Sequence, residues 1–452
     1  MNTVKSVKTI EELPTLALRL SETSDLSAKM ARMAVEHGPI FRLAITDMAW
    51  FDTDVARPWF VYMVGPEANQ MILHTHRDYF SHDLGWTPIV GPLLGKGLLN
   101  MDGAVHDLHR KMMNPAFTVS YMKHYLPLMR RVVADRTRDW LARGEVDLYE
   151  ETRKITFDVA AEALVGFRTG AEVDRIRDLF FALFHGWDAA EETREEFMFR
   201  MMMTQRDLNM IILDKIRERR GAPTDDILGM MVQAKDENGK PLSDEQILAH
   251  VNILLVAGHE TTTSLSSWLF WEMAQRPEWV ARVRAELDEV MSEHGSLTTE
   301  ATRQMKVLGY VIDEVGRFHA PVRNAPRGVV KEFEFGGYVV PVGTQVRYSI
   351  AATHRLPTVW DNPDVFDPER FAPGREEQKR YPFAFLPFGA GPRICIGMHL
   401  ATAEVKAMTE HILRSFDLSV TPGVQPQEYG MITTFAEPGL RVRVTNRLGS
   451  AK

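Results

Sequence analysis

Cysteine is almost absent from this chain, since Cys395 is the only one among 452 residues. A single cysteine excludes an intrachain disulfide and fits a reducing compartment such as the cytosol. An excess of basic residues is missing too, because the formal net charge is −8. This balance argues against nucleic acid as a general partner.

Long hydrophobic runs are also lacking near the N-terminus. Residues 1–12 contain no apolar stretch of membrane-spanning or signal-peptide length. We therefore expect a soluble, cytoplasmic protein with no transmembrane anchor. Its composition, 45% hydrophobic and 25% charged residues, is ordinary for a globular enzyme with a large core.

The patterns along the chain predict a mainly α protein with a small β part. Helical periodicity dominates from about residue 126 to residue 220, and Gly221-Ala222-Pro223 breaks it. Because no segment has the composition of a linker, we expect one domain over residues 1–452. Strand-like runs with turns are predicted at 59–64, 333–344 and 431–444.

The longest predicted helix covers residues 243–275. Ser243-Asp244-Glu245-Gln246 fits a capping box, and Arg276-Pro277 ends the pattern. About 32 residues at about 1.5 Å each give a rod of roughly 48 Å, long enough to cross a domain.

Cys395 lies in the glycine-rich segment 388–397, with the sequence FGAGPRICIG. Glycine and proline disfavour regular structure there, so backbone amides can approach the sulfur closely. Arg393 adds a cation two residues before the sulfur. The helix predicted from Met398 would place its positive N-terminal end beside it. The alternative is that a lone cysteine is simply a small buried hydrophobic residue.

The frame Phe-x-x-Gly-x-Arg-x-Cys-x-Gly resembles the haem-binding loop of the cytochrome P-450 family at every position. The resemblance implies that Cys395 is the axial thiolate ligand of a haem b iron, and that Phe388, Gly391 and Arg393 contact the cofactor. It also implies the single-domain cytochrome P-450 fold, with the haem between the long central helix and the helix after the Cys loop.

The middle of the long helix contains the run Ala257-Gly258-His259-Glu260-Thr261-Thr262. Gly258 and Thr261 share one helix face, where the glycine is expected to leave room for a small ligand. The run resembles the family's oxygen-activation motif, which implies that Thr261 steadies iron-bound dioxygen and Glu260 relays protons. The alternative is that the Thr261 hydroxyl bonds the preceding turn of its own helix.

Glu314 and Arg317, three residues apart on a predicted helix, resemble the first element of the family's structural network. Arg370, shortly before the Cys loop, resembles its second element. The resemblance implies a scaffold that shapes the cysteine pocket. Gly316 departs from the bulkier residue usual in the family, which slightly weakens the local helix.

His106 and Arg110 form a His-x-x-x-Arg pattern that resembles the family's propionate-binding segment. The resemblance implies Arg327 and Arg393 as further propionate partners. Arg323 is close enough in sequence to be confused with Arg327, and His354 is the weakest candidate. For a His-x-x-x-Arg pair taken alone, the alternative is that both side chains simply lie on a solvent-exposed helix surface.

Together these motifs imply a haem-thiolate monooxygenase that inserts one atom of O₂ into a hydrophobic substrate by hydroxylation or epoxidation. No flavin or dinucleotide fingerprint is visible, so NAD(P)H-derived electrons would come from separate proteins, a ferredoxin and its reductase. The candidates for their docking surface are Lys111, Arg130, Arg131, Arg375, Lys379 and Arg380, because Arg110 is assigned to a propionate. A peroxide-driven or isomerising haem-thiolate enzyme and a non-catalytic haem sensor are the alternatives.

The candidate substrate contacts are mostly apolar, and they are Trp86, Leu94, Ala257, Val322 and Thr433. They favour a hydrophobic molecule such as a fatty acid, a terpenoid or a retinoid-like compound. The Phe- and Met-rich run 197–203 is either an adaptable lid or ordinary helix core.

Overall fold

The computed structural model describes residues 8–46, 59–168, 170–184, 192–224, 226–236, 238–430 and 432–447. Helices dominate these residues. They are α1 (Leu26–His37), α2 (Pro66–Gln70), α3 (His82–Leu94), α4 (Gly103–Met113), α5 (Met122–Arg136), α6 (Trp140–Arg143), α7 (Leu148–Ala160), α8 (Ala171–Phe184), α9 (Arg194–Gly221), α10 (Ile227–Gln233), α11 (Asp244–Ala274), α12 (Pro277–His294), α13 (Thr299–Gln304), α14 (Lys306–Phe318), α15 (Ile350–Thr353) and α16 (Met398–Ser415).

The strands are short. They are β1 (Lys8–Thr9), β2 (Thr15–Leu18), β3 (Ile40–Ile45), β4 (Trp59–Val64), β5 (Phe80–Ser81), β6 (Glu145–Asp147), β7 (Asn324–Val329), β8 (Phe333–Phe335), β9 (Tyr338–Val340), β10 (Gln345–Ser349), β11 (Phe416–Val420), β12 (Gln427–Tyr429), β13 (Phe435–Glu437) and β14 (Arg441–Asn446). The prediction of a mainly α protein with a small β part is confirmed.

The largest sheet in the described residues has six strands in the order β2-β3-β4-β10-β7-β5. Strand β4 is antiparallel to β3 and parallel to β10, with Val61 opposite Val346. Residues 61–64 are all buried, so both faces of β4 are covered and its apolar run is continuous rather than alternating. The strand coincides with the predicted run 59–64.

Helix α11 begins with the predicted capping box. The Ser243 hydroxyl oxygen accepts a hydrogen bond from the Gln246 N–H at 3.2 Å, and the Gln246 side chain accepts one from the Ser243 N–H at 2.9 Å. The helix ends at Ala274, just before Arg276-Pro277. Its 31 residues extend over about 46 Å.

Most of α11 is buried, because α7, α9, α14 and α16 pack against it. Helix α16 starts three residues after Cys395, as the sequence predicted. Packing of α16 on α11 therefore positions the Cys loop relative to the long helix.

Two local predictions differ from the structure. Strand β6 interrupts the helical region predicted over 126–220, because β6 pairs with β14 from the end of the chain. The Cys loop contains one 3₁₀ turn, Gly391–Arg393, before the cysteine.

Met431, where the predicted tail strands begin, lies outside the described residues. None of the described helices is both long and apolar enough to span a membrane.

Candidate active site

The Cys395 loop is held by its own backbone. The Cys395 N–H donates to the Phe388 carbonyl at 2.8 Å, and the Ile394 N–H donates to the Gly391 carbonyl at 3.1 Å. Gly391 has φ +65°, and a Cβ there would lie 2.7 Å from the Leu73 carbonyl oxygen. Only glycine accommodates both the left-handed backbone and this close approach.

The Cys395 side chain has accessible surface, although many protein atoms surround its sulfur. Desolvation by these atoms raises the pKa of its thiol, and the backbone of Gly397 and the charge of Arg110 offset this only in part. A metal cation at the sulfur would reverse that preference, since a coordinating thiol is deprotonated.

Protein side chains alone do not build a metal centre here. Within the described residues, no group of three or more His, Cys, Asp or Glu side chains could hold a metal ion. A metal bound at Cys395 would therefore take most of its ligands from a non-protein group. A porphyrin, which supplies four nitrogens to iron, fits this requirement.

Basic side chains from several elements converge near the loop. Arg110 of α4 donates to the Ile394 carbonyl at 2.6 Å, and Arg393 donates to the Met101 carbonyl at 2.7 Å. The charge of Arg393 acts on His106, and the charges of Arg327 and Arg110 act on Arg393. The structure thus brings together the four residues predicted to bind propionates.

Arg327 is the deepest member of this cluster, with 2% exposure. It donates to the Pro326 carbonyl at 2.7 Å and to the Tyr348 hydroxyl at 3.5 Å, while its Nε finds no partner. Burial lowers the pKa of this guanidinium. A buried cation with an unused donor indicates that an anion belongs beside it.

His82, at the start of α3, joins the cluster and was missed in the sequence. Its Nδ1 is buried without a partner. Burial and then the charges of Arg327 and Arg393 hold the pKa of His82 well below its usual range. No motif surrounds His82, so only its position in the fold reveals it. The excess positive charge around His82 and Arg327 fits a buried dianion, and the two propionates of haem b meet that need.

Part of the motif on helix α11 is accessible. Ala257 is exposed although it lies in the middle of a largely buried helix. The Thr261 hydroxyl donates to the Ala257 carbonyl at 2.7 Å. The hydroxyl thus bonds its own helix, as the alternative interpretation anticipated, while its oxygen can still accept a hydrogen bond from a ligand.

Gly258 packs against the segment that ends helix α7 on the side where a side chain would project. A Cβ at this position would lie 3.5 Å from Leu164 and 3.8 Å from Ala160, which is ordinary packing contact. The side of Gly258 on which a Cβ would project therefore faces the segment that ends α7. The cofactor-binding role of Gly258 stays a prediction.

Glu260 is paired with α7 rather than with Thr261. Its carboxylate accepts from Arg153 Nη2 at 3.2 Å and from the Tyr149 hydroxyl at 3.4 Å. Burial alone would raise the pKa of Glu260, but His259 and Arg153 outweigh it and hold that pKa at about 2. Arg153 and Tyr149 were not found in the sequence, because they lie more than a hundred residues before the motif.

The family model for cytochrome P450 matches residues 16–431. The chain belongs to the cytochrome P450 family. It is 33% identical to cytochrome P450 136 of Mycobacterium tuberculosis over 375 residues, covering 81% of this chain and 76% of that protein. It is 30% identical to cytochrome P450 120 of Synechocystis, covering 86% and 85% of the two chains.

The solved structure of retinoic acid-bound cyanobacterial CYP120A1 has the same fold, with a TM-score of 0.83 and 27% identity over 96% of this chain and all of that one. The protein is therefore a cytochrome P450 monooxygenase, an oxidoreductase of the haem-thiolate class. Enzymes of this fold use haem, receive electrons from redox partners and act on hydrophobic substrates.

The predicted scaffold of this P450 is assembled and fully buried. Arg317 donates to the Glu314 carboxylate at 2.7 and 2.8 Å, and Arg370 donates to it at 3.1 Å. Arg317 also donates to the His354 carbonyl at 2.8 Å, which ties α14 to α15. A Cβ added at Gly316 would lie 3.5 Å from Pro387, an ordinary packing contact with the chain leading to the Cys loop.

Two alternative propionate candidates of the P450 are engaged elsewhere. The Arg323 guanidinium donates to the Ser27 hydroxyl at 3.2 Å and to the Gly430 carbonyl at 3.1 Å. His354 accepts from the Leu386 N–H at 3.0 Å, and burial lowers its pKa to about 3. Arg327 is thus the residue of the three that joins the cationic cluster.

The structure places some, but not all, of the predicted substrate-contact residues next to one another. Val322 and Thr433 form an isolated antiparallel β-bridge. Trp86 is buried in a cluster against which Val322 packs. Leu94 is buried at the end of α3, outside that cluster.

The run 197–203 lies in α9. Met198, Phe199 and Met202 are 59%, 62% and 56% exposed, so they are not core residues. Gln205 of the same helix donates to the Leu93 carbonyl at 2.5 Å, which links α9 to α3. The lid interpretation stays a prediction.

Proposed function

We propose that Cys395 ligates the iron of haem b and that this P450 hydroxylates or epoxidises a lipophilic molecule. The observation that carries the proposal is the exposed Cys395 on a loop beside the cluster of Arg327, His82 and Arg393. Asp102 lies 3.5 Å from Arg393, but Arg327 Nε and His82 Nδ1 are buried without a partner. Bound haem would supply the reductive activation of O₂. The chain itself would supply the thiolate, the cations for the propionates and the groups that hold protons.

The test is the spectrum of the reduced protein with carbon monoxide. Thiolate ligation predicts the absorption band diagnostic of haem-thiolate proteins, and Cys395→Ala should lose it while the protein remains folded. A wild-type band at the position typical of histidine ligation rejects Cys395 as the ligand.

On helix α11, Thr261 would orient the oxygen-binding site, and Glu260 would take part in proton delivery. Glu260 is ion-paired to Arg153 at 3.2 Å, and the Thr261 hydroxyl donates to the Ala257 carbonyl at 2.7 Å. This supports electron-dependent turnover over a peroxide-driven or isomerising reaction, and over a sensor, because none of these needs a maintained acid and alcohol. NADH-dependent product formation with added redox partners distinguishes the three.

The substrate would be a fatty acid, a terpenoid or a retinoid-like compound. Trp86 and Val322, which pack in one apolar cluster, and the exposed Ala257 would give the pocket an apolar lining. A structural neighbour with retinoic acid bound supports the same class. The test is a spectral binding screen with retinoic acid, lauric acid and a monoterpene. A shift of the haem band at micromolar ligand supports the class, and no response to any of them argues against it.

The electron donor would be a ferredoxin, served by its own reductase in the cytoplasm. The basic residues expected to dock it are largely paired within the chain. Arg131 contacts Glu162 at 2.6 Å, Arg130 lies 4.0 Å from Glu410, and Lys379 is paired with Glu376. A docking ferredoxin would therefore compete with these carboxylates for the basic side chains. We expect the electrostatic acceleration of ferredoxin binding to be modest.

A further inference from the structure

The tail hairpin, formed by β12 and β13, has no further strand beside it among the described residues. Two strands alone are only marginally stable in water, so other contacts must fix the position of the hairpin. These contacts come from residues 319–323, which follow α14. The Arg323 N–H donates to the Ile432 carbonyl at 2.7 Å, and the Thr434 N–H donates to the Pro321 carbonyl at 3.0 Å.

The tip of the tail hairpin shares its apolar surroundings with the Cys loop. Thr433 forms the isolated β-bridge with Val322. Val322 and Ile432 pack against the same apolar cluster as Ala390, which lies in the Cys loop. A movement of the hairpin would therefore change the packing of side chains near that loop.

His319 connects the tail hairpin to the long helix α11. Its Nε2 lies 2.8 Å from a carboxylate oxygen of Glu272 in α11, and its Nδ1 is hydrogen-bonded to the carboxylate of Glu428 in β12. The ring also stacks on Trp268 of α11, with the ring centroids 4.1 Å apart. An ionised carboxylate can only accept, so both hydrogen bonds exist together only when each ring nitrogen carries a hydrogen.

The charges around His319 favour this doubly protonated ring. Burial lowers the pKa of His319, but Glu272 and Glu428 outweigh burial and raise that pKa above its usual value. The other charged groups at the cluster are arginines, namely Arg276 beside Glu272, and Arg323 and Arg355 near Glu428. Each carboxylate thus keeps a cation when the ring is neutral. A neutral ring, however, donates to only one of the two carboxylates, and the connection between α11 and the hairpin is then broken.

We propose that His319 is a positioning residue for the substrate pocket, because it holds the tip of the tail hairpin in place by bridging Glu272 and Glu428. This inference rests on the proposed monooxygenase function. The bridge is complete below pH 6.5 and is lost as the pH rises through the raised pKa of His319. Ligands that reach Val322 and Thr433 then bind less tightly, whereas ligands that need only access to the iron bind as before.

The test compares two probes on the haem-loaded protein, imidazole and 4-phenylimidazole, through the shift of the haem absorption band. Imidazole reports access to the iron, whereas the phenyl ring must also pack in the pocket. Affinities are expressed for the unprotonated probes, so their own titration does not enter. From about pH 6 to pH 9, the affinity for 4-phenylimidazole relative to imidazole should fall several-fold in the wild type. In His319→Gln this ratio should be low at both ends of the range.

Glu428→Gln is a second variant, which keeps the shape of the side chain but removes one of the charges that raise the pKa of His319. Its ratio should fall at a lower pH than that of the wild type. His411→Gln is the matched control, because His411 lies 3.0 Å from the Thr137 hydroxyl and does not bridge two carboxylates. It should follow the wild type. A wild-type ratio that does not change with pH, or a Glu428→Gln profile identical to that of the wild type, overturns the proposal.

A second measurement follows the tail hairpin itself. Hydrogen exchange of the peptides that contain the Arg323 and Thr434 amides is corrected for the intrinsic effect of pH. In the wild type these peptides should lose protection between about pH 6 and pH 9, and in His319→Gln they should be poorly protected throughout. Wild-type protection that is independent of pH contradicts the proposal.

These results separate the inference from the proposed function. A wild type without the thiolate-type carbon monoxide band refutes the proposed function, whatever the hairpin does. With that band present, the ratio of the two affinities and the hydrogen exchange decide the inference alone.

Discussion

The Arg110 guanidinium donates a 2.6 Å hydrogen bond to the carbonyl of Ile394, the residue before Cys395. Desolvation raises the pKa of the Cys395 thiol, and the charge of Arg110 offsets part of this rise. Arg110 therefore supports the loop and the ligand itself, in addition to the role toward a propionate implied by the sequence.

Arg110→Ala should increase the fraction of the carbon monoxide complex that has lost thiolate ligation, because both the loop contact and the favourable charge disappear. The absorption spectrum of the reduced complex measures this fraction. Lys111→Ala, which removes a cation from an exposed position on the same helix, is the control. Identical spectra for the two variants would show that the Ile394 contact has no influence on the ligand.

Thr261→Ala should retain haem but divert reducing equivalents into hydrogen peroxide, because the hydroxyl beside the exposed Ala257 is lost. The measurement is product formed per NADH consumed. Thr262→Ala is a close control, since Thr262 makes the same kind of bond, to the Gly258 carbonyl at 3.1 Å, but is buried. Unchanged coupling in Thr261→Ala would remove Thr261 from oxygen activation.

Glu314→Gln should destabilise the fold by about 3–5 kcal/mol, the cost typical of breaking a buried ion pair from one side. Arg317 and Arg370 would remain buried with too little negative charge. Urea unfolding measures the change. Glu376→Gln removes the exposed partner of Lys379 and should cost less than about 1 kcal/mol. Comparable losses in the two variants would contradict the assignment of Glu314 to the scaffold.

His319 should make stability depend on pH. It lies 2.8 Å from Glu272, pairs with Glu428 and stacks on Trp268 at 4.1 Å. Burial lowers the pKa of His319, but the two carboxylates outweigh burial and raise it above the usual 6.5. The charged pairs thus stabilise the folded protein fully below pH 6.5, and this contribution declines as pH rises through the raised pKa. Urea midpoints between about pH 6 and pH 9 should fall for the wild type relative to His319→Gln. If the urea midpoints of the wild type and of His319→Gln change with pH in the same way, this prediction is wrong.

Reversing the charges of Arg130, Arg131 and Lys379 together should slow reduction by a ferredoxin, and added salt should slow the wild type likewise. Stopped-flow reduction at two ionic strengths measures both effects. Because each cation already has a carboxylate partner, we expect the slowing to stay within about tenfold. Rates insensitive to charge and salt would indicate an apolar docking mode.

The sequence by itself determined the features that depend on residues close together in the chain. The Cys395 loop, the helix that follows it, the capped helix α11 and strand β4 depend on glycines, caps and hydrophobic runs within a few residues of one another. The single domain over 1–452 and the haem contacts of Phe388 stay predictions.

Tertiary structure decided everything that joins distant segments. It placed His82 beside Arg327 and Arg393, paired Glu260 with Arg153, turned Gly258 toward Leu164, and recruited β6 to β14. None of these contacts can be predicted from residues that are neighbours in the sequence. A buried charge or an edge strand is stabilised by a partner, and only the folded chain brings that partner within reach.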